Sequence, residues 1–176
     1  MDSYDVLDDF NSIVVTKKKE FSQEELNELF KWDSKYLDSD LTKDKVIKHH
    51  TKKVNSKTKI VYFLRGNTTL IGYCEFEIDK IISHIKIIWL FAKGYGKLSM
   101  SSLLNYLSLK YDKIKLVSLG VSVDKTENKQ AAIARFNLYI YMGFNIFNLK
   151  WDKQNEYRVI LYMKRKNISL NFHHAK

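Results

Sequence analysis

A chain of 176 residues, 45% apolar and 14% aromatic, holds enough material for one sizeable core and too little for two independent ones. No apolar run approaches the roughly 18–20 residues of a membrane-crossing helix. The formal charge of +10 is a lysine excess, with Arg65, Arg135, Arg158 and Arg165 the only arginines, which disfavours sequence-specific nucleic-acid reading because bidentate recognition uses arginine.

Residues 12–16, SIVVT, form a β-branched run closed by KKKEF and are expected as a first strand. Ser22 followed three residues later by Glu25 is a capping box, after which Leu26, Leu29 and Phe30, continued by Tyr36 and Leu37, make the apolar stripe of a first helix. Asp40 or Thr42 is placed to cap a second, basic helix through KDKVIKHHTKKV that buries Leu41, Val46 and Ile47. From Lys59, KIVYFLRGNTTLIGYCEFEID is two β-rich runs around Arg65-Gly66-Asn67-Thr68, the chemistry of a hairpin. A third run, IISHIKIIWLFA at 81–92, ends at two glycines.

After Gly96, Met100, Leu103, Leu104, Leu107 and Tyr111 recur at helical spacing. IKLVSLGVSV at 114–123 is apolar enough for a central strand, so strand, glycine turn, helix and strand form a right-handed βαβ crossover. NKQAAIARFNLYIYMGF, from Asn128, is a helix carrying Ile133, Phe136 and Ile140 on one stripe and stopped by Gly143 in a left-handed cap. Two last strands, near 144–149 and 157–164, complete an α/β (α+β) fold: a mixed, mostly antiparallel sheet of about seven strands flanked by helices, with one parallel pair. A single domain is expected over residues 1–164, with 165–176 as a mobile tail.

The stretch FAKGYGKLSMSSLLNYL at 91–107 sets Gly94 and Gly96 directly before a helix. A plain tight turn needs such glycines, and so does an anion seated on the first helical amides. The series of hairpin, strand, KGYGKL, helix, strand and helix ending LYIYMGF resembles the GNAT superfamily of acetyl-coenzyme A dependent N-acyltransferases, over roughly residues 59–164. In that family a Gln/Arg-x-x-Gly-x-Gly/Ala turn opens the coenzyme helix, and a Tyr four residues before Gly-Phe ends the later one. Gly94 and Gly96 match the first pattern; Tyr139, Gly143 and Phe144 match the second. Phe91 departs from it, standing where the family has Gln or Arg.

The resemblance implies a direct acetyl transfer from acetyl-coenzyme A, as co-substrate and without a metal, to a primary amine. The amides of Lys93, Gly94, Tyr95, Gly96, Lys97 and Leu98 would line the pyrophosphate, the backbone of Leu90, Phe91 and Ala92 would pair with the pantetheine arm, and Asn128 would add a coenzyme contact. Tyr139 would be the general acid for the departing thiolate, and His84, in the strand before the turn, a candidate base with an ordinary pKa near 6.5. Glu75 and Glu77 alternate with Cys74, Phe76 and Ile78 and would serve the acceptor.

The acceptor would be a small polyamine or sugar amine, a lysine side chain or a protein amino terminus, and the enzyme a monomer or homodimer. The rival expectation is a catalytically silent domain of this architecture, or a basic module whose lysines in the 43–59 stretch engage nucleic acid or an acidic protein. The adjacent pairs His49-His50 and His173-His174 have no metal-ligand spacing, and the single cysteine, Cys74, is read as a core residue. An acidic start unlike a secretory leader places the expected protein in the cytoplasm; abundant Lys, Asn and Ile with no proline fit an AT-rich genome.

Overall fold

The computed structural model describes residues 12–36, 40–51, 58–123, 129–151 and 157–164. The expected tail at 165–176 lies outside them, as do Leu37, Asn128 and lysines 52, 53 and 57. Among the described residues, strands β1 Ile13–Thr16, β2 Thr58–Arg65, β3 Thr69–Asp79, β4 His84–Ala92, β5 Leu116–Val123, β6 Asn145–Trp151 and β7 Tyr157–Lys164 are joined by helices α1 Gln23–Tyr36, α2 Lys43–Thr51, α3 Gly96–Lys110 and α4 Lys129–Tyr141. The strands hydrogen-bond in the order β1-β2-β3-β4-β5-β7-β6. Pairing is antiparallel for β1–β2, β5–β7 and β6–β7 and parallel for β4–β5, so the expected open mixed sheet flanked by helices is observed. The chain divides into two compact units, one holding the described residues through Glu75 together with Leu90–Ser99, the other Phe76–Trp89 and the described residues from Met100 onward.

In the first unit the capping box closes as expected: Glu25 N–H donates to Ser22 Oγ at 3.2 Å, and Ser22 N–H donates to the Glu25 carboxylate at 2.8 Å. Thr42, not Asp40, caps α2, its Oγ1 accepting Lys45 N–H at 3.4 Å. Gly66 and Asn67, with φ of 55° and 62°, and the Thr68 N–H to Arg65 O bond of 3.3 Å make the β2–β3 connection a type I′ turn. Leu29 and Trp32 of α1 are buried while Leu26 and Phe30 are half-buried, so the inward stripe is rotated toward Trp32 and Asp33.

That rotation buries a carboxylate, which needs partners. Asp33 accepts the Tyr73 hydroxyl at 2.6 Å, and its other oxygen lies 3.0 Å from His50 Nε2, while His50 Nδ1 lies 3.0 Å from the Tyr62 hydroxyl. All four residues are at most 5% exposed. Burial, reinforced by the Asp33 charge, pushes both phenols well above their ordinary value, which keeps them protonated donors. The network ties α1, α2, β2 and β3 together through polar atoms.

In the second unit β4 and β5 are registered from His84 opposite Leu116 to Ile87 opposite Leu119, and α3 buries Met100, Leu103, Leu104 and Leu107 between them in sequence. Two expectations are corrected here. The third strand starts at His84 rather than Ile81, because Asp79 Oδ1 accepts the N–H groups of Ile81 and Ile82 at 2.9 and 3.2 Å and folds 80–83 into a turn. On α4 the buried face is Ala132 and Tyr139, with Met142 just beyond the helix, whereas Ile133 and Ile140 are 58% and 38% exposed. The cap decides that rotation. Gly143 has φ of 91°, its N–H donates to Ile140 O, and Phe144 N–H donates to Tyr139 O at 3.0 Å, a Schellman motif that folds Phe144 back on the Tyr139 side.

Candidate active site

The turn before α3 belongs to the first unit. Gly94 has φ of 74°, a region that L side chains rarely adopt, and a Cβ built there would meet no atom within 4 Å. Tyr95 is the N-cap: its carbonyl accepts the first α-helical bond, from Ser99 N–H at 2.9 Å. The amides of Gly96 and Leu98 therefore precede the helical ladder, and the first turn of α3 contains no acidic residue to meet them. Backbone donors, the positive end of the helix and the neighbouring Lys93 and Lys97 together favour a bound anion.

The end of β4 is held close to β3. Lys93 N–H donates to Ile71 O at 2.8 Å, so of the expected pyrophosphate amides this one is already committed to the sheet. The Lys93 side chain is exposed, its Nζ 4.0 Å from Glu28. Gly72 makes the approach feasible: a Cβ there would overlap the Phe91 carbonyl oxygen and lie 2.8 Å from Ala92 Cα. Sequence reading passed over Gly72, although a glycine inside a strand pattern is the signal of close backbone approach. Phe91 itself packs its ring on Trp32, with centroids 5.0 Å apart.

Tyr139 stands in the second unit at the C3 position of the α4 cap, 9% exposed, its ring edge-on to Phe144 at 5.9 Å. The Tyr-x-x-x-Gly-Phe spacing is thus the spacing of a Schellman motif with its hydrophobic contact. His84 opens β4, so the full length of the strand separates it from Ala92 and the turn. Its Nε2 lies 2.7 Å from Ser118 Oγ, and burial, partly opposed by Asp79, holds its pKa below the ordinary value.

Glu75 reaches His49 Nε2 at 3.3 Å, and that hydrogen bond raises the His49 pKa against the effect of burial. Glu77, two residues on along β3, is half-buried. Cys74 is fully buried and its thiol is pushed up by burial, the state of an inert core residue. Among the described residues no group of His, Cys, Asp and Glu is arranged to hold a metal, and no helix is long and apolar enough to cross a membrane.

No family model and no curated protein sequence matches the chain. Solved structures do. A chimera of the Vibrio cholerae spermidine N-acetyltransferase SpeG and hSSAT superposes with a TM-score of 0.72 at 13% identity, over 91% of this chain and 99% of that one. The V. cholerae spermidine N-acetyltransferase in complex with CoA and spermine gives 0.70 at 12%, over 90% and 98%. A Desulfovibrio desulfuricans protein assigned to the GNAT family of acetyltransferases gives 0.60 at 12%, over 88% and 99%. At these identities the likeness is one of fold: the chain shares the GNAT-like α/β fold of these structures.

Proposed function

We propose that the chain is an acetyl-coenzyme A dependent N-acetyltransferase acting on a primary amine. The observation that carries this reading is the start of α3: a glycine at positive φ, an N-cap without a short polar side chain, no acid in the first turn and lysines on either side. These residues fit a diphosphate. Gly94, Gly96 and Leu98 would present backbone donors to it, Lys93 and Lys97 would add charge, and the last residues of β4, Leu90, Phe91 and Ala92, would align the pantetheine arm by main-chain pairing.

Acetyl-coenzyme A supplies the thioester. In this reading Tyr139 holds the proton that the departing sulfur takes up, a role its phenol suits because the motif that caps α4 also fixes its ring. His84, bonded to Ser118 at the opposite end of β4, is given no part in proton removal. Glu75, paired with His49, is the carboxylate offered to a cationic acceptor, with Glu77 next along the strand. Spermine in a structure of the same fold supports a polyamine as that acceptor.

Two measurements test the reading. Acetyl-coenzyme A at about 100 times its dissociation constant should stabilise the fold by about 2.7 kcal/mol, read as a rise in Tm; an unchanged melting curve removes the coenzyme from the account. Tyr139→Phe should slow thiol release by about 10²-fold or more while leaving coenzyme affinity in place; release at the wild-type rate would remove Tyr139 as proton donor.

A further inference from the structure

Phe91 brings no polar side chain to the turn. It is turned to Trp32, in apolar contact with the ring of α1. A guanidinium nevertheless reaches the turn, from a different strand. Arg65 is the last residue of β2, and its carbon Cζ lies 5.1 Å over the ring centroid of Tyr95, between the two glycines. Both ends of that contact are fixed by main-chain bonds. Arg65 is registered opposite Ile13 and accepts Thr68 N–H at 3.3 Å, and Tyr95 caps α3 through Ser99.

We propose that Arg65 binds a phosphate of the coenzyme, reaching the turn from the end of β2. The proposal rests on the reading of the chain as an acyl-coenzyme A enzyme. A guanidinium held over an aromatic ring keeps the planar fork of N–H donors that suits pairs of phosphate oxygens. The contact also restrains a long side chain before any ligand arrives, which lowers the ordering cost of binding. Lysine cannot reproduce this: Lys93 lies near Glu28 and is a point charge on a flexible stem. Of the four arginines, Arg135 stands exposed on α4, and the side chains of Arg158 and Arg165 lie outside the described set, so Arg65 is the arginine that the described structure sets at the turn.

Coenzyme A offers two phosphate sources, the diphosphate and the 3′-phosphate, and titration calorimetry with coenzyme A and 3′-dephospho-coenzyme A separates them. Arg65→Ala should weaken coenzyme A binding roughly 10-fold or more, the scale of a lost charge-assisted pair, with Arg65→Lys in between. An equal loss for both ligands assigns the diphosphate; a loss confined to coenzyme A assigns the 3′-phosphate. Arg65→Met, which keeps an apolar stem on Tyr95, provides the same comparison if the alanine variant melts too low. Wild-type affinity for both ligands in a folded Arg65 variant overturns the proposal and leaves the contact as a tie between hairpin and turn. Failure of the wild type to bind either ligand instead removes the acyltransferase reading, and this inference with it.

Discussion

Helices α1 and α3 begin in opposite ways. At α1 the orphan amides are met from within: Ser22 and Glu25 exchange hydrogen bonds, Glu24 and Glu25 put negative charge at the positive end of the helix, and Lys18 pairs with Glu25 at 2.9 Å. At α3 the N-cap is a tyrosine, the first turn has no acid, and Lys93 and Lys97 place the unfavourable sign there. Each misplaced charge costs about 0.3–1 kcal/mol. A helix start built only for stability would look like α1. Under the proposed function the start of α3 is completed by an anion from outside, next to Gly94 with its positive φ.

Grafting one start onto the other gives the largest expected effect. The double variant Tyr95→Ser with Leu98→Glu writes the α1 box into α3, at positions where Leu98 is 42% exposed. The apo protein should gain about 1 kcal/mol, a few degrees in Tm, while coenzyme affinity falls about 100-fold as the grafted carboxylate takes the amides and repels phosphate. Stability and binding would move in opposite directions. If affinity survives the graft, the open start has no bearing on the ligand.

Next comes Gly72→Ala. The added Cβ has the Phe91 carbonyl in its way, so the end of β4 must shift, at about 1–3 kcal/mol for overpacking, seen in the denaturation midpoint. Coenzyme binding should weaken as well, because the displaced strand leads into the turn. Ser22→Ala is smaller and one-sided: about 1 kcal/mol of stability is lost with the cap, and coenzyme affinity stays unchanged. A change in affinity there would show that the two helix starts are not independent.

The α1 box was readable because all its information lies within four residues, and the Gly66-Asn67 turn and the Gly143 stop of α4 are as local. The glycines at 94 and 96 were readable as a turn; that Lys93 N–H is already spent on Ile71 was not, since it depends on pairing across the sheet. The Asp33–His50–Tyr62–Tyr73 network was invisible for the same reason. Its bonds join residues 12 to 40 positions apart, and a polar residue at a helix position reads as surface until its partner is known. On α4 hydrophobicity ranks the isoleucines above alanine and tyrosine and places the stripe one residue away from the buried face, which holds Ala132 and Tyr139. Arg65 over Tyr95 likewise joins the end of one strand to a turn thirty residues later in sequence.

The smallest effect concerns pH and Glu75, the carboxylate proposed to meet the acceptor. Glu75 accepts from His49 and thereby lifts its pKa above the ordinary 6.5, with the Glu75 and Asp33 charges helping and burial opposing. A histidine raised in the folded state contributes stability that is complete below about pH 6.5 and is lost as pH climbs through the folded value. The Tm of the wild type minus that of Glu75→Gln should therefore be largest near pH 5.5 and shrink toward pH 8.5. The His49 side chain is 37% exposed, so solvent screening keeps the difference modest. The Ser22 hydroxyl does not titrate in this range, so the Tm cost of Ser22→Ala should run flat across the same buffers. A Glu75→Gln difference equally flat would mean that His49 is not held by Glu75 in solution, which would leave the proposed acceptor carboxylate without a competing partner.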